Sequence, residues 1–172
     1  MDLRSGRTIQ WIKEAFIRLV NEEGFVNVTV SQISEEAQIN RRTFYSHFQD
    51  KYDLAEIIAN DVITHYQNII QLRFSDDKVN ISELIVSFLA EDERPVLQAL
   101  FSIHTKEFDF ERTFSEKLIQ EVKVNLAIQD PLAIEIYIAF ALTTVKYYLT
   151  YPEETFSLER QEKIITQFQN LL

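Results

Sequence analysis

Residues 29–53 constrain the fold more than any other stretch, because they start three helices in quick succession. They read Thr-Val-Ser-Gln-Ile-Ser-Glu-Glu-Ala-Gln-Ile-Asn-Arg-Arg-Thr-Phe-Tyr-Ser-His-Phe-Gln-Asp-Lys-Tyr-Asp. Thr29 is a helix cap, and Gln32 three residues later completes a capping box. Val28 and Ile33 flank that cap as a hydrophobic staple. Asn40 is a second cap, with Ile39 and Phe44 as its staple, and Asp50 is a third, with Asp53 in the turn behind it. The first two helices are thereby held to about two to three turns each. Two short helices, a tight turn between them and the start of a longer helix form a helix-turn-helix. That arrangement presents its second helix to a DNA major groove.

The second helix opens with Arg41 and Arg42, in a first turn where the helix dipole disfavours cations. Stability alone would select Asp or Glu there. The basic pair makes sense if it faces an anion together with the helix N-terminus. Phosphates and the acceptor edges of guanine fit that requirement. No acidic residue occurs from Ala37 to Gln49, while Arg41, Arg42, Thr43, Tyr45, Ser46 and His47 all offer donors. Arg41, Arg42 and Thr43 are placed for base edges, with the Thr43 methyl suited to thymine. Tyr45, Ser46 and His47 suit phosphates. Phe44 and Phe48 belong to the core.

The pattern Thr-Val-x-x-Ile-x-x-x-Ala-x-Ile-Asn-x-x-Thr-Phe-Tyr-x-His-Phe-x-x-Lys-x-x-Leu, from Thr29 to Leu54, resembles the DNA-binding signature of the tetracycline-repressor (TetR) family. The likeness extends back through Ala15, Phe16, Leu19, Gly24 and Phe25 and covers roughly the first third of the chain. One departure is Gln38, where the family usually has Gly in the turn. A non-Gly residue in the left-handed conformation costs on the order of 1 kcal/mol. The resemblance implies an all-α homodimer that binds a palindromic double-stranded DNA operator. It also implies that Lys51 meets a phosphate. Thr29 and Asn40 complete the candidate DNA-binding set.

Composition agrees with an all-α fold. The 172 residues include only 2 Gly and 3 Pro, too little turn punctuation for a sandwich or an α/β sheet. There is no cysteine, which excludes disulfides and thiol redox sensing. Met-Asp-Leu-Arg-Ser-Gly-Arg lacks the apolar core of a signal peptide, so a cytoplasmic protein is expected. A net charge of −10 argues against nucleic acid until its distribution is read. Residues 1–52 balance their charges, and the acidic excess lies wholly beyond them. An acidic body is pushed away from phosphates, which orients the head towards DNA.

In chain order, residues 1–7 read as a polar arm with Arg4 and Arg7, disordered without a partner. It either reaches phosphates or the minor groove, or is a solvated tail. A first helix is expected from about Thr8 to Glu23, closed by a left-handed Gly24 with Phe25 packed behind it. Residues 51–73 form a long helix, which the resemblance makes the connecting helix that moves with an effector. Residues 75–80 form a linker. Helices follow near Ile81–Ala90, Arg94–His104 and Phe110–Ile128. Asp130 and Pro131 start the most apolar one, Pro131–Tyr151, and a last helix runs from Leu158 to Leu171. Glu135 and Lys146 argue against a membrane span. A helix apolar nearly all round needs burial on more than one side, its own core and a partner. Residues 1–52 are thus the DNA-binding domain, and 74–172 an effector-binding and dimerisation domain.

Catalysis finds no support. The sequence has no glycine-rich phosphate loop, no nucleophile elbow and no metal-ligand spacing among His47, His65 and His104, and no cofactor is expected. Asp76-Asp77 and Glu91-Asp92-Glu93 read as solvated charges. The resemblance implies a small-molecule pocket in the C-terminal domain. Phe101, His104, Phe108, Phe114, Tyr137, Phe140 and Tyr148 are its candidate lining, with a filled aromatic core as the alternative. It also implies a four-helix dimer interface, with Ile138, Leu142, Val145, Ile164, Ile165 and Phe168 as candidates. The leading function is a ligand-released repressor. The rival is a TetR-like co-activator or interaction protein that works through a protein partner. If Arg41 pairs with guanine, Arg41→Ala costs about 1–3 kcal/mol on a specific site. Unchanged affinity across operator variants removes Arg41 from the base-reading residues.

Overall fold

In a computed structural model, residues 3–74, 93–125, 129–151, 153–154 and 157–171 are described. Among them the chain is all-α. The helices are α1 (Leu3–Glu23), α2 (Val30–Glu36), α3 (Arg41–Tyr45), α4 (Lys51–Phe74), α5 (Arg94–Phe101), α6 (Phe110–Asn125), α7 (Pro131–Thr150) and α8 (Leu158–Leu171). An isolated bridge between His104 and Asp109 is the one extended pairing among the described residues.

Two compact units divide these helices. The first holds α1, α2, α3, α4 as far as His65, α5 from Pro95 and α6 as far as Lys117. The second holds α4 from Tyr66, α6 from Leu118, α7 and α8. The first is built around Ile12, Phe16, Ile33, Phe44, Leu54, Leu97, Leu100 and Phe110, each wholly buried. Fully burying one such side chain stabilises by about 1.5–3 kcal/mol. Ion pairs join α1 to α4 (Lys13 to Asp61) and α1 to α2 (Arg18 to Glu36). Both are partly exposed, so burial rather than charge holds the unit together. In the second unit α7 buries Ile134, Ile138, Leu142, Val145, Tyr148 and Leu149, while Arg94 donates to the Tyr148 carbonyl at 2.9 Å.

Several boundaries differ from the sequence reading. α1 begins at Leu3, so residues 3–7 are helix rather than a disordered arm. Thr8 is a good cap, but nothing upstream breaks the ladder except Gly6, whose cost in a helix is about 1 kcal/mol. α5 ends at Phe101, before His104, because the chain turns at Ser102 into a loop closed by Thr105 and Phe108. α6 ends at Asn125. The linker at 75–80, the helix near Ile81–Ala90 and the Asp76-Asp77 and Glu91-Asp92 charges lie outside the described residues. So does the Phe168 side chain. α7 is long and apolar enough to cross a membrane by length and composition, a test that a core helix also passes, and it carries Glu135 and Lys146 and buries one side against its own unit. Asp130 caps α7 as expected, accepting from the Ala133 N–H at 2.8 Å, with Pro131 in the first turn.

On the expected dimer face of α7, Ile138, Leu142 and Val145 are buried within their own unit and leave little side-chain surface for a partner. An evenly apolar helix carries no period to say which side faces inward.

The turn between α2 and α3 keeps its geometry without glycine. Gln38 takes φ 54°, in the left-handed region. Its N–H donates to the Glu35 carbonyl at 3.0 Å and that of Ile39 to the Ser34 carbonyl at 2.9 Å. These two bonds make the Schellman closure that ends a helix at a left-handed residue. Gln38→Gly removes the strain but frees the unfolded chain, so we expect a net stabilisation of about 0.5–1 kcal/mol. Urea unfolding measures it, and an unchanged or lower midpoint contradicts the strain.

Candidate nucleic-acid interface

Local hydrogen bonds build the head. Thr29 Oγ1 accepts from the Gln32 N–H at 3.3 Å, and Gln32 Oε1 accepts from the Thr29 N–H at 2.9 Å, so the capping box is complete. Val28 and Ile33, on either side of it, are both buried. Asn40 Oδ1 accepts from the Thr43 N–H at 2.8 Å and from the Thr43 hydroxyl at 3.1 Å, which starts α3. Asp50 Oδ1 accepts from the N–H groups of Tyr52 and Asp53 at 2.8 and 2.9 Å, which starts α4. Asp53 reaches back to accept from the Gln49 N–H at 2.8 Å.

α3 spans only 5 residues, Arg41–Tyr45, too few to be stable alone. Its orientation comes from Phe44 and Phe48. Both are buried, at 0% and 4% exposure, with ring centroids 5.6 Å apart. With that side inward, Arg41, Arg42, Tyr45 and Ser46 are exposed, and Thr43 and His47 are half-buried. Among the described residues neither Arg41 nor Arg42 has its guanidinium ion-paired or hydrogen-bonded. Their charge is available to an external anion.

The other candidates are differently occupied. The Thr29 hydroxyl donates to Gln32 Oε1 at 2.7 Å, and that of Ser46 to the Thr43 carbonyl at 2.7 Å. With the Thr43 hydroxyl engaged by Asn40, its exposed portion offers a methyl and acceptor lone pairs. Lys51 differs most from expectation. Its ammonium donates to the carbonyls of Phe25, Val26 and Val28 at 2.8, 3.2 and 2.8 Å. It also lies 4.6 Å from the centroid of the Phe25 ring. Burial pushes this ammonium below its ordinary pKa. Nothing in the sequence around position 51 signals these partners, because they sit more than twenty residues upstream.

The proposed pocket residues are divided between the two units. Phe101, Phe110 and Phe114 pack on one another in the first unit, with centroid separations of 5.0, 5.3 and 6.1 Å. Phe108 is buried in the same unit. His104 Nδ1 lies 3.1 Å from Asp109 Oδ2 on the exposed side. Tyr137 and Phe140, half-buried, and Tyr148, buried, belong to the second unit. Of the interface candidates on α8, Ile164 is half-buried and Ile165 is 38% exposed. Among the described residues no cluster of three His, Cys, Asp or Glu side chains could hold a metal.

Residues 12–58 match the model of the bacterial regulatory proteins of the tetR family. An HTH-type transcriptional regulator of Staphylococcus aureus strain USA300 is 29% identical over 119 residues, 63% of this chain and 62% of the relative. The match therefore spans less than two thirds of that relative's length. NalD of Pseudomonas aeruginosa, the secondary repressor of the MexAB-OprM multidrug efflux pump, superposes with a TM-score of 0.73 at 19% identity. That superposition covers 98% of this chain and 97% of NalD. FadR of Bacillus subtilis, solved with stearoyl-CoA, gives a TM-score of 0.58 at 14% identity over 86% of this chain and 90% of FadR. At these identities the structural likenesses establish the fold. The signature carried by α2, the Gln38 turn and α3 lies inside the matched segment, so residues 12–58 are a DNA-binding head of the kind found in bacterial regulatory proteins of the tetR family.

Proposed function

We propose that this protein is a DNA-binding transcriptional repressor that holds a palindromic operator as a homodimer and releases it when a small molecule binds. One observation carries the reading. Arg41 and Arg42 stand exposed and unpaired among the described residues, at the start of a helix held outward by Phe44 and Phe48, in a stretch without acids. Guanidinium groups so placed fit guanine edges and phosphates. Tyr45, 50% exposed, adds a phenol on the same side. Residues 1–52 act as the DNA-binding domain, and 74–172 as the effector and dimerisation domain of a cytoplasmic regulator.

The dimer rests on the other side of α7. Leu132 and Ile136 are 68% and 60% exposed, and Ala139 and Thr143 continue the same stripe in exposed positions. A two-fold partner covering this stripe buries apolar surface that water would otherwise solvate. The effector reading follows the company the fold keeps, since FadR of Bacillus subtilis was solved with stearoyl-CoA. A ligand that binds the mis-spaced dimer more tightly lowers operator affinity by linkage.

Footprinting on DNA from immediately upstream of the gene tests the proposal. The expected result is a two-fold symmetric protected site, with half-sites about 34–36 Å apart or a multiple of that. No protection, with the dimer intact, would favour the co-activator reading through a protein partner. Ile136→Asp is expected to yield a folded monomer by light scattering and to abolish that protection. A dimer that survives the substitution contradicts the assigned face.

A further inference from the structure

Lys51 is the first residue of α4, where the helix dipole disfavours a cation. Its surroundings supply partners for the charge. The carbonyls of Phe25, Val26 and Val28 receive all three of its N–H donors, and the Phe25 ring lies against it. The loop supplying them is rooted in the core by Phe25 and Val28, 3% and 1% exposed. Phe25 in turn packs edge-on against Phe16 and Tyr52, at 6.1 and 5.1 Å.

The position of this cage along the chain gives it meaning. Val28 immediately precedes the cap of α2, and Lys51 immediately follows the cap of α4. The bond between them closes α2, the strained Gln38 turn and α3 into a ring. A five-residue helix has little rigidity of its own, so its direction depends on where the ends of that ring are held. We infer that Lys51 is the clip of this ring and a positioning residue for DNA recognition, fixing the presentation of Arg41 and Arg42 without itself touching a phosphate. The recognition role rests on the DNA-binding reading proposed above.

A phosphate contact and a clip respond differently to substitution. A guanidinium keeps the charge, so Lys51→Arg preserves a phosphate contact. Its planar fork cannot reproduce a tripod of donors to three carbonyls. Lys51→Met removes the charge and keeps the stem. Both variants are compared with wild type on DNA from upstream of the gene and on random DNA, over a salt series, with circular dichroism reporting helix content. As a clip, Lys51 gives specific affinities lowered about tenfold in both variants. Random-DNA affinity and the salt slope then stay near wild type. As a phosphate contact, it gives an unimpaired Lys51→Arg and a Lys51→Met that weakens on both DNAs with a slope smaller by about 0.9. That pattern overturns the inference.

If the variants fail to fold, the wild type answers alone. A caged ammonium exchanges its protons slowly and yields a nitrogen–proton NMR signal for Lys51, both free and on upstream DNA. Fast exchange in the free protein, or loss of the signal on DNA, overturns the clip. A wild type that does not distinguish upstream from random DNA overturns the DNA reading and the recognition role together. A protected ammonium in that case still upholds the clip.

Discussion

The burial of Phe44 and Phe48 fixes everything the head can do. α3 has 5 residues and no stability of its own. Which of its sides faces inward is set by two rings, 0% and 4% exposed, that turn into the core. The opposite side then carries Arg41, Arg42 and Tyr45 outward. The caps at Thr29, Asn40 and Asp50 set where each helix begins, and the Gln38 turn sets how α2 passes into α3. None of these would aim the arginines without the buried rings. The outward basic side of α3 is in this sense a by-product of core packing.

What the sequence made legible was local. The Thr29 capping box, Pro131 after Asp130 and the left-handed Gly24 act over three or four residues, and the structure has each of them as read. The head was legible because its elements are short and bounded by such signals. Contacts across the chain were not. Lys51 reads as a surface cation until its three carbonyl partners are seen. α7 shows the same limit in another form. Its apolar residues occur on every side, so Ile138 and Ile136 look alike in sequence. In the structure one is 5% exposed and the other 60%. The aromatic residues proposed as a pocket are divided between the two units.

Charge separates the two halves of the chain as packing separates the two sides of α3. Residues 1–52 are neutral overall, while the rest of the chain carries the net −10. The guanidinium groups of Arg41 and Arg42 therefore face solvent without competing acids nearby, since Ala37 to Gln49 contains none. Lys51, although cationic, is engaged internally and adds little to that surface. Exposed cationic charge on α3 is thus concentrated on Arg41 and Arg42, so few substitutions would remove it.

The most direct test of this account is fluorescence anisotropy over a salt series with DNA from immediately upstream of the gene. Wild type is run beside an Arg41→Ala/Tyr45→Ala double mutant whose buried anchors are untouched. The account predicts tight binding that weakens steeply with salt in the wild type and is lost in a mutant that remains folded. Equal binding by the two proteins, or a wild type no better on this DNA than on random sequence, would contradict the claim that the outward side of α3 reads DNA.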